Sequence, residues 1–274
     1  VDVGAGGMQC TVTATAKSGR YRIVTDYVTD PVRDAVVMRV RFDNLRKGPL
    51  ALYVLFDPTV NGNGGGGSGN GGADSATIDT SRGHAILVAS DPVTTTNAVN
   101  RDYAQPVVAA LDGPFTNATS GFAGAASDGR VQLDSAHALT SSFTSANGGN
   151  VVQAARVDAK EAKQFTLTLG FGSTQSEAVG VAAAAQRLPY AVTAAVYSLG
   201  WLAYDLRLVR PKGFHGFDDP YYTSANVLKA SEDKTFPGAI VASLASPWGQ
   251  AVSAGDPNNA YFGSYREVFA RDLY

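Results

Sequence analysis

Cysteine is nearly missing: Cys10 is the single one in 274 residues. An internal disulfide is therefore excluded, as is any cysteine-rich zinc or iron–sulfur centre. Charge is also scarce, at 17% of residues, and the balance is −2. With no basic surplus to neutralise phosphates, nucleic acid is not expected as a partner. No apolar run has the length of a membrane-spanning helix, and the most hydrophobic helical stretch, 190–208, carries Asp205 and Arg207. The sequence opens Val1-Asp2-Val3 with neither a methionine nor a signal-peptide pattern. The expectation is a removed leader or a trimmed segment. His84, His137 and His215 are too scattered to suggest a metal site or a triad. No cofactor or metal ligand set is read from the residues, and a structural Ca2+ is left open.

What is present is apolar content of 45%, enough for a real core, in a length that suits one large or two ordinary domains. Abundant Gly, Ala, Ser, Thr and Asn fit a secreted or periplasmic β-rich protein. The first part alternates at period two. Met38, Val40 and Phe42 point one way, Arg39 and Arg41 the other; Phe165, Leu167, Leu169 and Phe171 alternate with Thr166, Thr168 and Gly170. Both predict half-buried antiparallel strands. Segments 21–28, 50–56 and 84–90 are further strand candidates, separated by turn signals such as Asp30-Pro31 and Asp57-Pro58. The glycine-rich run 61–72 lacks the Lys and Ser/Thr of a phosphate loop and reads as a flexible hairpin tip.

At Thr174 the period changes. Thr174-Gln-Ser-Glu177 is a capping box, and an alanine-rich helix follows to about Leu188, where Pro189 stops it. A second helix starts near Tyr190, with Val192, Val196, Leu199, Ala203 and Leu206 recurring at three- and four-residue steps as one apolar face. A third runs from about Tyr221 to Ala230. The predicted class is mainly β: a large antiparallel β-sandwich over 1–173, a helical linker over 174–213, and the start of a helical domain over 214–274. One helix with its loop cannot bury a core of its own, so that domain is expected to be completed elsewhere.

The tail, 265–274, sets Tyr265, Phe269, Arg271 and Asp272 close together. An aromatic face, a five-donor fork and a two-oxygen acceptor are equipment for gripping a sugar ring. Upstream, the series Glu232-Asp233-Lys234-Thr235, Pro237-Gly238-Ala239, Ala242-Ser243 and Pro247-Trp248-Gly249 leads into that Arg-Asp pair. This series closely resembles the opening of the catalytic domain in glycoside hydrolase family 15, of the bacterial glucoamylase and glucodextranase type. Gly19-Arg20-Tyr21-Arg22, Tyr27 to Pro31, Met38 to Phe42 and Leu52 to Pro58 resemble that group's N-terminal sandwich.

The resemblance implies an inverting, exo-acting enzyme that releases glucose from the non-reducing ends of α-glucans. Its helical domain would be an (α/α)6 barrel, completed by a second chain or a missing segment. Arg271 and Asp272 match the family's pair in the terminal-glucose subsite, and Tyr265 matches a tyrosine lining it. Phe269 stands where the family usually has Trp, which keeps the apolar face and loses the indole N–H. Trp248 is a candidate platform at the rim. The family's catalytic glutamates lie further along, and no position here matches them. Glu232 and Asp233, at a helix end beside Lys234, read as a local charge pair or turn, and Asp256 before Pro257 as a turn initiator; Glu267 is a loop carboxylate for which contact with substrate or a partner segment is left open. Two other functions stay open: an inverting disaccharide phosphorylase of similar plan, and a non-catalytic sugar-binding or scaffold module.

Overall fold

A computed structural model describes residues 2–4, 8–58, 60, 74–91, 95–96, 101–102, 107–158, 160, 163–209, 212–213, 220–234, 236–241 and 268. The chain runs through β1 (Asp2–Gly4), β2 (Gln9–Thr15), β3 (Tyr21–Thr29), β4 (Ala35–Asn44) and β5 (Tyr53–Phe56). Then come β6 (Ser75–Asp79), β7 (Ile86–Asp91), the two-residue pair β8 (Thr95–Thr96) and β9 (Arg101–Asp102), β10 (Val107–Asp112) and β11 (Phe115–Phe122). Helix α1 (Gly129–Ala136) precedes β12 (Ser145–Asn147), β13 (Val151–Val157) and β14 (Gln164–Gly172). Three helices follow: α2 (Gln175–Gln186), α3 (Tyr190–Asp205) and α4 (Pro220–Ala230).

Nine strands form one sheet in the order β1-β2-β3-β4-β14-β10-β7-β6-β12, and β11-β13-β5 form a second. Every recorded pairing is antiparallel, as the alternating patterns require. The two sheets close on a core that includes Leu87, Leu111, Phe115, Val157, Phe165 and Leu167. Each such side chain contributes about 1.5–3 kcal/mol by leaving water. Met38 and Ile23 pack at the margin of this core, so β4 turns the side predicted from its alternation inward. On the other side of β4, Arg39 lies 2.7 Å from the Asp26 carboxylate and 4.7 Å over the Tyr190 ring.

The strand β14 departs from its half-buried expectation. Its Thr168 is fully buried, because α2 lies across that face. Ile86, Val88, Val108 and Ala110 on the sheet meet Ala178, Val179 and Ala182 on the helix. Small side chains make the close approach possible. A Cβ on Gly170 would sit 2.5 Å from Ala182 N and 2.8 Å from Ala178 O. Polar Thr and small Gly in alternation look solvent-facing in sequence, but here they form a shallow bed for a helix. Thr168 Oγ1 donates to Gln186 Oε1, which satisfies its hydroxyl.

The capping box forms with a shift of one residue. Thr174 Oγ1 accepts from Glu177 N at 3.2 Å, while Glu177 Oε2 accepts from Ser173 N at 2.8 Å. The Ser173 N–H and hydroxyl, with the Thr174 N–H, hold the Glu177 carboxyl below its ordinary range. Helix α2 ends before Pro189, which itself caps α3 in extended geometry. Helix α1 was not visible in the sequence pattern. It is a single short element capped by Asp128, whose Oδ1 accepts from Arg130 N at 2.7 Å.

Candidate functional site

The segment that leads to the predicted sugar site is built on α4. Tyr222 and Asn226, one turn apart, are both fully buried on the side of α4 that meets α3. Asn226 hydrogen-bonds Asp205 of α3, and burial pushes the Asp205 carboxyl above its ordinary range. Lys229, in the last turn, pairs with Glu232 three residues on. Such a cation also suits the negative end of the helix dipole.

Beyond α4 the chain folds back on itself. Glu232 and Ile240 form an antiparallel bridge, and Val241 N donates to Ser231 O at 3.0 Å. Gly238 turns the chain at φ +89°, a conformation that favours glycine. Both acids of this turn are occupied. Glu232 Oε1 accepts from Gly238 N at 2.7 Å and Oε2 from Lys229, while Asp233 Oδ1 accepts from Phe236 N at 2.8 Å. They build the turn and do not stand free as a proton donor and acceptor, which is the local explanation expected for them. The cation partner of Glu232 is not the nearby Lys234. Lys234 reaches instead to Asp34 of the β3–β4 turn, at 3.4 Å, while Lys229 serves Glu232. The exposed Lys234–Asp34 pair is worth at most about 1 kcal/mol.

Trp248, Asp256, Tyr265, Glu267, Phe269, Arg271 and Asp272 lie outside the described residues. So does His215, while Val268 of the tail is described and exposed. The described turn ends at Val241, whose N–H is anchored to Ser231 O just past α4.

A cavity of about 240 Å³ opens between α3, the β3–β4 turn and the end of α4. Tyr197, Trp201 and Tyr204 of α3 line it, with the Trp201 ring edge-on to its neighbours at 6.2 and 6.1 Å. Burial raises the phenol pKa of both tyrosines. Asp30 at its wall is saturated: Oδ1 accepts from Val32 N and Arg33 N, and Oδ2 pairs with Arg33 at 3.0 Å. This hollow can hold an apolar group but presents no free acid.

A second hollow, of about 310 Å³, lies at the β10–β11 turn beside the end of α2. There His84 Nε2 lies 2.6 Å from the buried Asp112 Oδ1, a pairing that sequence separation conceals. Asp158, also on its wall, accepts from Lys160 N at 2.8 Å. Inverting glycoside hydrolysis needs two carboxyl groups about 6.5–9.5 Å apart flanking the scissile bond. Among the described residues the carboxylates lining these two hollows are committed to structural partners. Also among the described residues, no three His, Cys, Asp or Glu gather as a metal site, and no helix is long and apolar enough to cross a membrane.

Comparison with known proteins places this architecture. The profile of the family described as glucodextranase, domain N, matches residues 2–206. A glucoamylase from Clostridium sp. (strain G0005) is 30% identical over 263 residues, covering 95% of this chain and 34% of that protein. The crystal structure of a bacterial glucoamylase complexed with acarbose superposes with a TM-score of 0.76 at 28% identity, covering 96% of this chain and 35% of that one. An inverting mannosidase of glycoside hydrolase family 92 from Bacteroides thetaiotaomicron shares the fold alone, with a TM-score of 0.50 at 11% identity over 79% of this chain and 25% of that one. The chain spans about a third of the length of the glucoamylases it matches.

Proposed function

We propose a function from one premise: the chain belongs to the glucodextranase domain N family, of the bacterial glucoamylase and glucodextranase type. In this reading it is the N-terminal portion of a secreted or periplasmic, inverting, exo-acting α-glucoside hydrolase. Residues 1–173 are the sandwich, 174–213 the helical linker, and 214–274 the opening of an (α/α)6 catalytic domain. The observation that carries this is the extent of the match. Likeness to the acarbose-bound glucoamylase runs over nearly the whole chain, past the sandwich and into the region after α3.

In mechanism, Arg271 and Asp272 hold the outer hydroxyls of the terminal glucose. The guanidinium donates and the carboxylate accepts, while Tyr265, Phe269 and Trp248 shield the ring from water. Asp272, flanked by a cation, stays ionised and acts as an acceptor. The general acid and base lie in the remaining part of the enzyme. The acid protonates the glycosidic oxygen as the base activates water on the opposite face.

The test is steady-state kinetics of the longer protein on maltooligosaccharides. Arg271→Ala removes charge-assisted hydrogen bonds worth about 1.5–3 kcal/mol each, so kcat/KM should fall by about 10–100-fold or more. Unchanged kinetics in a folded Arg271→Ala variant would remove this residue from the subsite. Glucose release that depends on inorganic phosphate would replace the hydrolase with a phosphorylase.

A further inference from the structure

Helix α3 is inside out. Its sheet-facing stripe is mostly aromatic: Tyr190 and Tyr197, with the small Ala194, pack on Val28, Ala35, Val37 and Ala185; Thr193 is buried, and Asp205 is buried against Asn226 of α4. Tyr197 donates to Met8 O at 2.7 Å, and Gln9 donates to Ser198 Oγ. The aliphatic stripe turns away from the sheet, with Val196 at the wall of the hollow beside the end of α4. Val192 is 49% exposed, Val196 48%, Leu199 63% and Leu206 59%, with Ala203 also exposed among them. A soluble surface helix carries the opposite polarity, with its apolar stripe toward the core.

The spacing of the outward stripe is informative. The steps 192, 196, 199, 203 and 206 alternate four and three residues through two heptads. That is the a/d seam of a helix packed against another helix at a shallow angle, whose knobs enter holes on a partner. The seam itself carries no charge, whereas a solvated face would. A contiguous apolar strip of this kind on a monomer marks an interaction surface.

The relatives narrow the occupant. They hold the matched region within chains about three times as long, so in both about two-thirds of the same polypeptide lies outside it. We propose that the 192–196–199–203–206 seam of α3 is the docking face for a helix of the remaining two-thirds of the enzyme, making α3 a shared element of two domains. This inference rests on the reading that the chain is one portion of a longer hydrolase.

The experiment compares Leu199→Glu/Leu206→Glu with the native sequence in two settings. In the 274-residue chain alone, both side chains already meet water. The variant should keep its Tm, remain monomeric by size exclusion and bind less of an apolar dye such as anilinonaphthalene sulfonate. In the longer protein, the same change should lower Tm by several degrees and raise dye binding, because it forces charge into a buried seam. An unchanged Tm in the longer protein would overturn the proposal. So would a native 274-residue chain that dimerises and a variant that does not, which would make a second copy the occupant. Glucose release is recorded on the native longer protein in parallel. A protein with a covered seam and no hydrolysis would sink the functional reading and leave this one standing.

Discussion

Helices α2 and α3 adjoin in sequence and both pack on the large sheet, yet they solve opposite problems. α2 lays small apolar residues, Ala178, Val179, Ala182 and Ala185, onto the sheet and satisfies the hydrophobic requirement of this fold. α3 gives the sheet its tyrosines, turns a buried acid toward Asn226 of α4, and holds its valines and leucines out. On the inference above, α2 spends its apolar residues on the sheet of this fold, while α3 keeps its own for a neighbour in a larger molecule.

The sharpest way to break this contrast is to put a side chain where α2 touches the sheet. Gly170→Val would drive a branched Cβ against the backbone of α2, with Ala182 N at 2.5 Å. Overpacking of this kind costs about 1–3 kcal/mol or more, and backbone contact favours the upper end. Urea unfolding should show the loss, with α2 detached in hydrogen exchange. A variant as stable as the native chain would mean that α2 is not tightly seated.

The next largest effect lies on the sandwich itself. His84→Ala leaves the buried Asp112 without its imidazole partner and should cost about 1–3 kcal/mol by chemical denaturation. Thr174→Ala removes the α2 cap and should cost about 1 kcal/mol, with His84 unaffected.

Position 200 supplies the counterpart to position 170. Gly200 lies in the middle of α3, and a Cβ added there would find no heavy atom within 4 Å, so Gly200→Ala meets open space. It should raise stability by about 0.4–1 kcal/mol through the lower entropy of the unfolded chain. A destabilising outcome would show α3 to be tightly covered already. The smallest effect is a pH dependence. Burial raises the Asp205 pKa, so the folded state binds this proton more tightly than the unfolded state. Its favourable contribution is full below the unfolded pKa and is lost as pH rises through the folded one. Asp205→Asn, which keeps the bond to Asn226, should therefore gain on the native chain at neutral pH and show no gain in acid.

The sandwich was legible where alternation was strong, because period two reports which side of a strand meets the core. It misled at Thr168 and Gly170, since a face of small residues reads as solvated whether water or a helix covers it. The spacing of α3 was legible as an apolar stripe, but spacing cannot say which partner the stripe faces. Glu232 and Asp233 were legible as turn builders from their place at a helix end, although Lys229, and not Lys234, proved to be the cation for Glu232. The His84–Asp112 pair joins residues 28 positions apart and left no local signal. The sugar-gripping tail was legible only by resemblance, and Tyr265, Phe269, Arg271 and Asp272 lie outside the described residues.

The measurement that bears most directly on the account is the anomer first released when the longer protein cuts a maltooligosaccharide, followed by proton NMR before mutarotation. Single displacement predicts β-glucose as the initial product, formed one unit at a time from the non-reducing end. Initial α-glucose, or internal cleavage without free glucose, would contradict it.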